Sequence, residues 1–596
     1  MQRYQAISTL SGRGFLPLCA FVLGASLAFA GTSKVSTDLA KSDASAQVDV
    51  IVQYSQIPTA EYHQKVLSRG GVLKRELGSF KGGAYTMPAS AVNDLAADPD
   101  VVFISPDRPL KGASDPKPAA VNDYHTGTIN APAAWALGLS GAGIGVAVID
   151  SGIASIPDLT AKNIVYSQDF TGLGSTADQY GHGTHVAGIL AGNGYESTGS
   201  KYSYTFKGIA DGVSMISLRV LDSNGEGTDS EVIAAIQEAI RLKSTYNIRV
   251  INLSLGRPVW ESYTLDPLCQ AVEQAWKAGI VVVVAAGNYG RDNNAGTNGY
   301  GTITAPGNDP YVITVGAMNT KGASNRADHV IASYSSKGPT LFDSVVKPDL
   351  VAPGNLVDSL YFSTATLNAA NPGFEIPQSL YVTDGPVNPS VTYYALSGTS
   401  MATPMVSGAV ALMLQQSPSL TPDQVKARLM QSAFKGLQPS STATDLLTGQ
   451  TFQEQADIFT VGSGYLDIQA ALANTNLAPA TAGSALSPLA EMGANGDVAV
   501  VANGSSVVGS DSILWGSSIL WGSSILWGSS SEVEGSSILW GSSTPLCGSS
   551  ILWGSSILWG SKVTGESILW GSSDTQVDGA NALWGDTTAG LVGDVM

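Results

Sequence analysis

Three polar residues lie in motifs of the kind that activate a serine for attack on a carbonyl carbon. Asp150 closes the apolar segment GVAVID, His182 lies in GHGTHVAGIL, and Ser400 lies in SGTSMATPMV at the start of an apolar helical segment. Peptide hydrolysis by a serine requires a base for the hydroxyl proton, a group that orients the base, and donors for the oxyanion. The three motifs together predict an aspartate, a histidine and a serine that act as one unit.

The segments that carry these residues belong to a long alternation of strands and helices. Short β-branched runs such as GIGVAVID, VSMISLRVL, RVINLSLG and GIVVVVAAGN are separated by helical segments such as DSEVIAAIQEAIRLK. Strands that are apolar on both faces indicate a parallel sheet covered on both sides. We therefore predict an α/β fold with a doubly wound, mostly parallel central sheet flanked by helices. Sites in such folds open at the carboxyl ends of the strands, where Asp150 and Asn288 both fall.

The motifs HGTHVAG and GTSMA, the second followed by Pro404, resemble those of the subtilisin family in the chain order Asp, His, Ser. The resemblance extends over roughly residues 119–475 and implies a serine endopeptidase. By that resemblance Asp150 orients the imidazole, His182 acts first as base and then as acid, and Ser400 attacks the scissile carbonyl. No cofactor is required for this chemistry, and the implied partners are protein or peptide substrates.

The same resemblance implies an oxyanion hole and a substrate cleft. In AAGN, Asn288 is the side-chain donor that acts with the backbone N–H of Ser400. Two edges of the cleft bind extended peptides through main-chain hydrogen bonds, so broad specificity is expected. We expect Thr304 at the floor of the primary pocket, where subtilisin has glycine, to disfavour large aromatic residues. The residues implied for substrate binding are Ser254, Leu255, Gly256, Gly225, Gly227, Gly287 and Thr304.

The region before the catalytic segment divides into three parts. Residues 1–30 have the features of a signal peptide, with Arg3 and Arg13 around the start of an apolar run that ends in Ala-Phe-Ala. Residues 31–46 are interpreted as a linker. The order β-α-β-β-α-β over 47–111 resembles the inhibitory propeptide of the subtilisin family. We therefore expect self-processing between about Leu110 and Tyr124, with the catalytic domain over 112–475.

Composition limits the remaining classes of function. The net charge of −18 argues against a nucleic-acid partner, because phosphate binding requires clustered Lys and Arg. No segment after the signal peptide is long and apolar enough to span a membrane. We therefore predict a secreted, extracellular protein. Only Cys269 and Cys547 follow the signal peptide, and two distant cysteines do not form a disulfide framework.

The sequence contains two candidate metal sites, one for calcium and one for zinc. Asp158, in IPDL, matches a calcium ligand of the subtilisin family, but the partner loop GNGYESTGSKYSY does not match the family's calcium loop. A structural Ca²⁺ is thus one interpretation. His182 and His185 have the spacing of a zinc pair, yet HExxH and a third ligand are absent from the sequence, so His185 is interpreted as structural.

The C-terminal part contains repeats that hydrolysis does not require. Residues 476–510 are rich in Ala, Gly and Ser and are interpreted as a linker, and residues 511–596 repeat the hexapeptide GSSILW. The repeats could stack as a β-solenoid, pair between molecules, or form a flexible extension that is later removed. Retention at the cell surface by self-association would suit such repeats. An alternative function is therefore a surface-assembly protein whose protease domain serves mainly maturation.

Overall fold

The computed structural model describes residues 34–112, 125–160, 163–370, 373–444, 449–492 and 498–501, with short strands between 524 and 584. The predicted signal peptide lies outside these residues. Within the described part, no helix is both long and apolar enough to cross a membrane.

The N-terminal module is a four-stranded antiparallel sheet in the order β2-β3-β1-β4. Both faces of β1 are buried because strand side chains alternate: Val50 and Val52 pack in the module's own core, whereas Ile51 belongs to the core of the catalytic region. Beyond β4, the short strand β5 leaves this sheet. The elements are β1 (Gln47–Tyr54), α1 (Ala60–Leu67), β2 (Val72–Leu77), β3 (Gly82–Pro88), α2 (Val92–Ala96), β4 (Val101–Pro106) and β5 (Pro109–Gly112).

The segment 31–46, interpreted from its composition as a linker, is packed on this module in its described part. Val35 forms a parallel bridge with Ile104, and the side chains of Val35 and Leu39 are buried in the module's core. The described part of this segment therefore contributes side chains to the core of the N-terminal module.

The central sheet of the catalytic region has the order β14-β13-β12-β10-β6-β8-β7, with β15 paired to β13. All of its pairings are parallel except that of β13 with β14. The strand order reverses at β6, so Asp150 at its carboxyl end lies at a topological switch point. The strands of this sheet are β6 (Gly145–Asp150), β7 (Ile164–Asp169), β8 (Ser214–Arg219), β10 (Ile248–Leu253), β12 (Val281–Ala285), β13 (Ile313–Asn319), β14 (Val330–Ile331) and β15 (Leu350–Pro353). The short strands β9 (Glu226–Thr228) and β11 (Leu255–Gly256) lie outside it and pair with β5.

Helices cover both faces of this sheet, and a deeply buried helix carries Ser400. That helix, α9, packs on β10, β12, β13 and β15 and on the helix that begins at His182. It is apolar around its whole circumference, as a helix enclosed by protein must be. The helices are α3 (His125–Thr128), α4 (Ala131–Ala136), α5 (His182–Ala191), α6 (Asp229–Tyr246), α7 (Pro267–Lys277), α8 (Thr366–Ala370), α9 (Thr399–Gln416), α10 (Pro422–Ser432) and α11 (Ile468–Ala473).

Two further parts extend the catalytic region. An insertion between β15 and α9 forms a three-stranded sheet of β16 (Val357–Leu360), β17 (Glu375–Pro377) and β18 (Pro389–Leu396). A second extension follows residue 475, where the sequence predicted a linker. Ala478 and Ala485 are buried there, and the Ser487 hydroxyl donates to an Asp349 carboxylate oxygen at 2.6 Å. Two antiparallel strand pairs complete the described fold up to 501: β19 (Ser440–Thr444) with β20 (Thr451–Gln455), and β21 (Leu489–Met492) with β22 (Val498–Val501). An isolated antiparallel bridge joins Val345 to Leu489 of β21.

The described strands of the repeat tail pair in parallel with identical residues in register. Trp527 is paired with Trp540, and Trp570 with Trp584. Strands of the SILW type pair with one another, and the short strands between them form a second ladder. Parallel ladders of this kind are typical of stacked repeats, and the solenoid interpretation of the whole tail stays a prediction.

Candidate active site

Asp150 and His182 form a buried hydrogen-bonded pair. One carboxylate oxygen of Asp150 lies 2.8 Å from His182 Nδ1 and accepts the backbone N–H of Ser151 at 2.7 Å. Both side chains are fully buried. Burial favours the neutral imidazole, but the adjacent Asp150 carboxylate outweighs it, so the pKa of His182 is raised above its ordinary value. A carboxylate on Nδ1 leaves Nε2 as the nitrogen available for proton transfer.

His182 is held at the start of α5 by a close crossing of two backbone segments. A Cβ on Gly183 would lie 2.1 Å from the carbonyl oxygen of Gly152, so only glycine allows this approach. Sequence reasoning missed Asp178, which accepts the N–H groups of Gly181 and Thr184 and the hydroxyl of Ser151. Asp178 thus links the turn after Asp150 to the N-terminus of α5. An acidic residue just before a helix start is the available signal for such a cap.

Ser400 lies in the first turn of α9, and its local bonding follows from a proline. Pro404 lacks the N–H that would bond the carbonyl of Ser400 inside the helix. That carbonyl instead accepts the Ser254 hydroxyl at 2.9 Å. In return, the Ser400 hydroxyl donates to the carbonyl of Ser254 at 2.8 Å, whereas His182 Nε2 has no hydrogen-bond partner within the described residues.

Asn288 is oriented by the residue that precedes Ser400. Its side-chain oxygen accepts both the backbone N–H and the hydroxyl of Thr399, each at 3.0 Å. The hydroxyl of Thr399 also accepts the N–H of Gly287 at 3.2 Å. With its oxygen held on this side, the Asn288 amide presents its NH₂ group in the opposite direction as a donor. Sequence reasoning missed Thr399, although its place within the GTSMA motif was a signal.

A strand of this chain lies between the two edges of the predicted substrate cleft. Strand β5 lies between β9 and β11 and is antiparallel to both, so that Leu110 is opposite Gly227 and Gly112 is opposite Leu255. The N–H of Gly112 donates to the carbonyl of Gly225 at 3.2 Å. Gly225, Gly227, Leu255 and Gly256 therefore all contact or pair with an extended strand, as the sequence predicted for a substrate. This strand also explains why His182 and Ser400 are fully buried.

Thr304 fills the space between the two walls of the predicted primary pocket. Its hydroxyl donates to the carbonyl of Ala286 at 3.2 Å. A Cβ on Gly256 would lie 2.6 Å from Thr304 Oγ1, and one on Gly287 would lie 2.7 Å from Thr304 Cγ2. The structure thus brings the Thr304 side chain between Gly256 and Gly287.

The donors around Asp158 do not fit a calcium cage. One carboxylate oxygen accepts the N–H of Glu196 at 2.7 Å, and the other accepts the Tyr393 hydroxyl at 2.8 Å. Burial raises the pKa of Asp158. Among the described residues, no group of three or more His, Cys, Asp or Glu side chains could hold a metal ion. His185 is buried on the carbonyl of Tyr394, and burial lowers its pKa to about 3, as for a structural histidine.

Comparisons with known proteins agree with this geometry. Residues 141–464 match the Subtilase family. The serine protease AprX of Bacillus subtilis (strain 168) is 36% identical over 50% of this chain and 62% of its own length, and subtilisin E of the same strain is 33% identical over 70% and 87%. The solved structure of fervidolysin from Fervidobacterium pennivorans, a keratinolytic enzyme related to subtilisin, gives a TM-score of 0.53 at 23% identity, over 72% of this chain and 61% of that one. The subtilisin-like α/β fold is thereby confirmed.

Proposed function

The chain belongs to the subtilase family and is a subtilisin-like serine endopeptidase, and we propose that Asp150, His182 and Ser400 are its catalytic residues. The buried contact of His182 Nδ1 with Asp150 is the observation that carries this assignment. Subtilases need no cofactor for this chemistry. The substrates are proteins or peptides that bind in extended form between β9 and β11.

In the first step, Ser400 Oγ attacks the scissile carbonyl carbon while His182 Nε2 takes the hydroxyl proton. The Asp150 carboxylate stabilises the imidazolium, which then gives the proton to the leaving amine. The Asn288 amide and the backbone N–H of Ser400 donate to the oxyanion. In the second step, water deprotonated by His182 attacks the acyl-enzyme and releases Ser400.

Substrate binding itself frees the nucleophile. Along β5, the N–H of Gly112 points to β9, so the N–H of the next substrate residue points to the opposite edge and reaches the Ser254 carbonyl. That carbonyl is the acceptor of the Ser400 hydroxyl in the present state. The substrate N–H replaces the Ser400 hydroxyl as the donor to this carbonyl, and the Ser400 hydroxyl then turns to His182 Nε2.

The N-terminal module acts as an inhibitory propeptide, and the chain processes itself. Its strand β5 fills the cleft, and side chains before that strand fix the module to the catalytic region. Asp107 accepts the N–H and hydroxyl of Ser230 at the start of α6, at 2.9 and 2.6 Å. Arg108 donates to both carboxylate oxygens of Glu261, at 2.5 and 2.7 Å. The enzyme is secreted by its signal peptide, and main-chain recognition gives it broad specificity apart from the small primary pocket.

The comparisons lend no support to the alternative of a surface-assembly protein, so tail-mediated self-association is proposed only as an addition to the endopeptidase. The proposed roles are tested by casein digestion with wild type and His182→Ala. We expect a loss of about 10⁶-fold in turnover, the size known for subtilisin itself, and a single cooperative thermal unfolding transition that shows His182→Ala to be folded. A folded His182→Ala variant with turnover near that of wild type would contradict the assignment.

A further inference from the structure

Lys111 and Glu226 form an ion pair across the cleft. They are cross-strand neighbours of β5 and β9, and Lys111 Nζ lies 2.5 Å from a carboxylate oxygen of Glu226. We infer that Glu226 is a specificity-determining residue that favours lysine or arginine at the corresponding position of a substrate. This inference rests on the proposed function, because it takes β5 as a stand-in for a bound substrate.

The register defines that substrate position. Gly112 packs against the imidazole of His182, and a Cβ on it would lie 3.3 Å from Nδ1. A substrate residue one further along would lie opposite Ser254, whose carbonyl is 2.8 Å from Ser400 Oγ. That residue is P1, the residue whose carbonyl is attacked, so Gly112 occupies P2 and Lys111 occupies P3.

The neighbouring positions complete a pattern. At P4, Leu110 is 2% exposed between β9 and the core of the catalytic region. At P2, contact with His182 leaves room for glycine or another small residue. The cleft thus accepts an apolar, a basic and a small residue in succession before P1. Of these, only the basic residue is selected by charge.

The backbone of Glu226 is held in place by its loop. Asp222 accepts the backbone N–H of Glu226 at 3.0 Å, and its own charge adds to the attraction for Lys111. Both members of the ion pair are about half exposed or more, so salt should screen their interaction. The effect on specificity is therefore expected to be modest and dependent on ionic strength.

The test compares two reporter peptides, the p-nitroanilides of acyl-Pro-Leu-Lys-Gly-Ala and acyl-Pro-Leu-Glu-Gly-Ala, with the mature forms of wild type, Glu226→Gln and Glu226→Arg. Cleavage of the bond after Ala at P1 releases p-nitroaniline. We expect wild type to prefer the lysine peptide in kcat/KM by about two- to fivefold at low salt, Glu226→Gln to lose most of this preference, and Glu226→Arg to reverse it. Molar salt should reduce the preference of wild type. As a matched control, Glu238→Gln removes a carboxylate that pairs with Arg241 outside the cleft, and it should keep the wild-type ratio.

The possible failures are distinguishable. If wild type cleaves both peptides equally at low salt, or if Glu226→Arg keeps the lysine preference, the inference about Glu226 is wrong while the endopeptidase function stands. If folded, mature wild type cleaves neither peptide nor casein, the proposed function itself fails. A preference that falls equally in Glu226→Gln and Glu238→Gln would show an effect of overall charge and would also overturn the assignment to Glu226.

Discussion

A buried aspartate lies near each end of helix α5, and the two aspartates have different hydrogen-bond partners. At its N-terminal end, Asp150 pairs with His182, the first residue of the helix. At its C-terminal end, Asp158 accepts the N–H of Asn193 on its backbone carbonyl and the Tyr393 hydroxyl on its side chain. The first arrangement serves a proton transfer, which requires particular atoms at fixed distances. The arrangement at Asp158 stabilises a loop. Its carboxylate accepts the Tyr393 hydroxyl from the insertion, whereas the family resemblance suggested a calcium ion as its partner.

This difference implies that substitutions at the two ends should separate rate from stability. Changes near His182 and Ser400 should lower turnover with little effect on the melting temperature. Changes near Asp158 should lower the melting temperature and leave turnover close to that of wild type.

Outside the three residues proposed for proton transfer and attack, the largest effect on rate is expected for Asn288→Ala. Losing one oxyanion donor should lower kcat by about 10²–10³-fold with little change in KM, a range that derives from subtilisin itself. Steady-state kinetics on a peptide substrate measures both constants. An equal rise in KM with unchanged kcat would show that Asn288 contributes to substrate binding alone.

A smaller loss is expected for Thr399→Val, which removes the hydroxyl that holds the Asn288 oxygen. The backbone N–H of Thr399 still holds that oxygen, so kcat should fall by about tenfold, equivalent to one lost hydrogen bond of about 1.4 kcal/mol. Thr399→Ser keeps the hydroxyl and serves as the control, with kcat near wild type. Equal kcat values for the two variants would contradict the positioning role.

Thr304→Gly should change selectivity more than overall rate. Removing the side chain between Gly256 and Gly287 deepens the primary pocket, so kcat/KM for a P1 phenylalanine should rise relative to P1 alanine by about tenfold, as expected for burial of one or two further methylene groups. Paired reporter peptides measure the ratio. A wild type that already cleaves chiefly after Phe or Tyr would contradict the account of this pocket.

At the other end of α5, Tyr393→Phe should affect stability alone. The buried Asp158 carboxylate loses a donor, which should cost about 1–3 kcal/mol of unfolding free energy and lower the melting temperature by several degrees. Tyr195→Phe, at an exposed position, is the matched control and should melt like wild type. A chelator that lowers the melting temperature of wild type but not of Asp158→Asn would instead show a cation at Asp158.

Local sequence motifs alone single out the residues proposed for catalysis. Asp150, His182, Ser400 and Asn288 stand in such motifs, and the alternation of apolar strands with helices predicted the central sheet. Tyr393 could not be predicted as a partner of Asp158, because the two are separated by 235 positions and meet only through the insertion. The burial of Ala478 and Ala485 could not be predicted for a different reason. Ala478 and Ala485 belong to a composition typical of linkers, yet small side chains also fill narrow gaps in a core.

The most direct test of the account is the intact mass and N-terminal sequence of purified wild type beside Ser400→Ala. We predict that wild type loses its N-terminal module and begins between about residues 111 and 125, with Ser114 as the first residue if cleavage follows the residue after Gly112. Ser400→Ala should keep the module and remain inactive on casein. Retention of the module by both proteins, with no casein cleavage by either, would contradict Ser400 as a self-processing nucleophile.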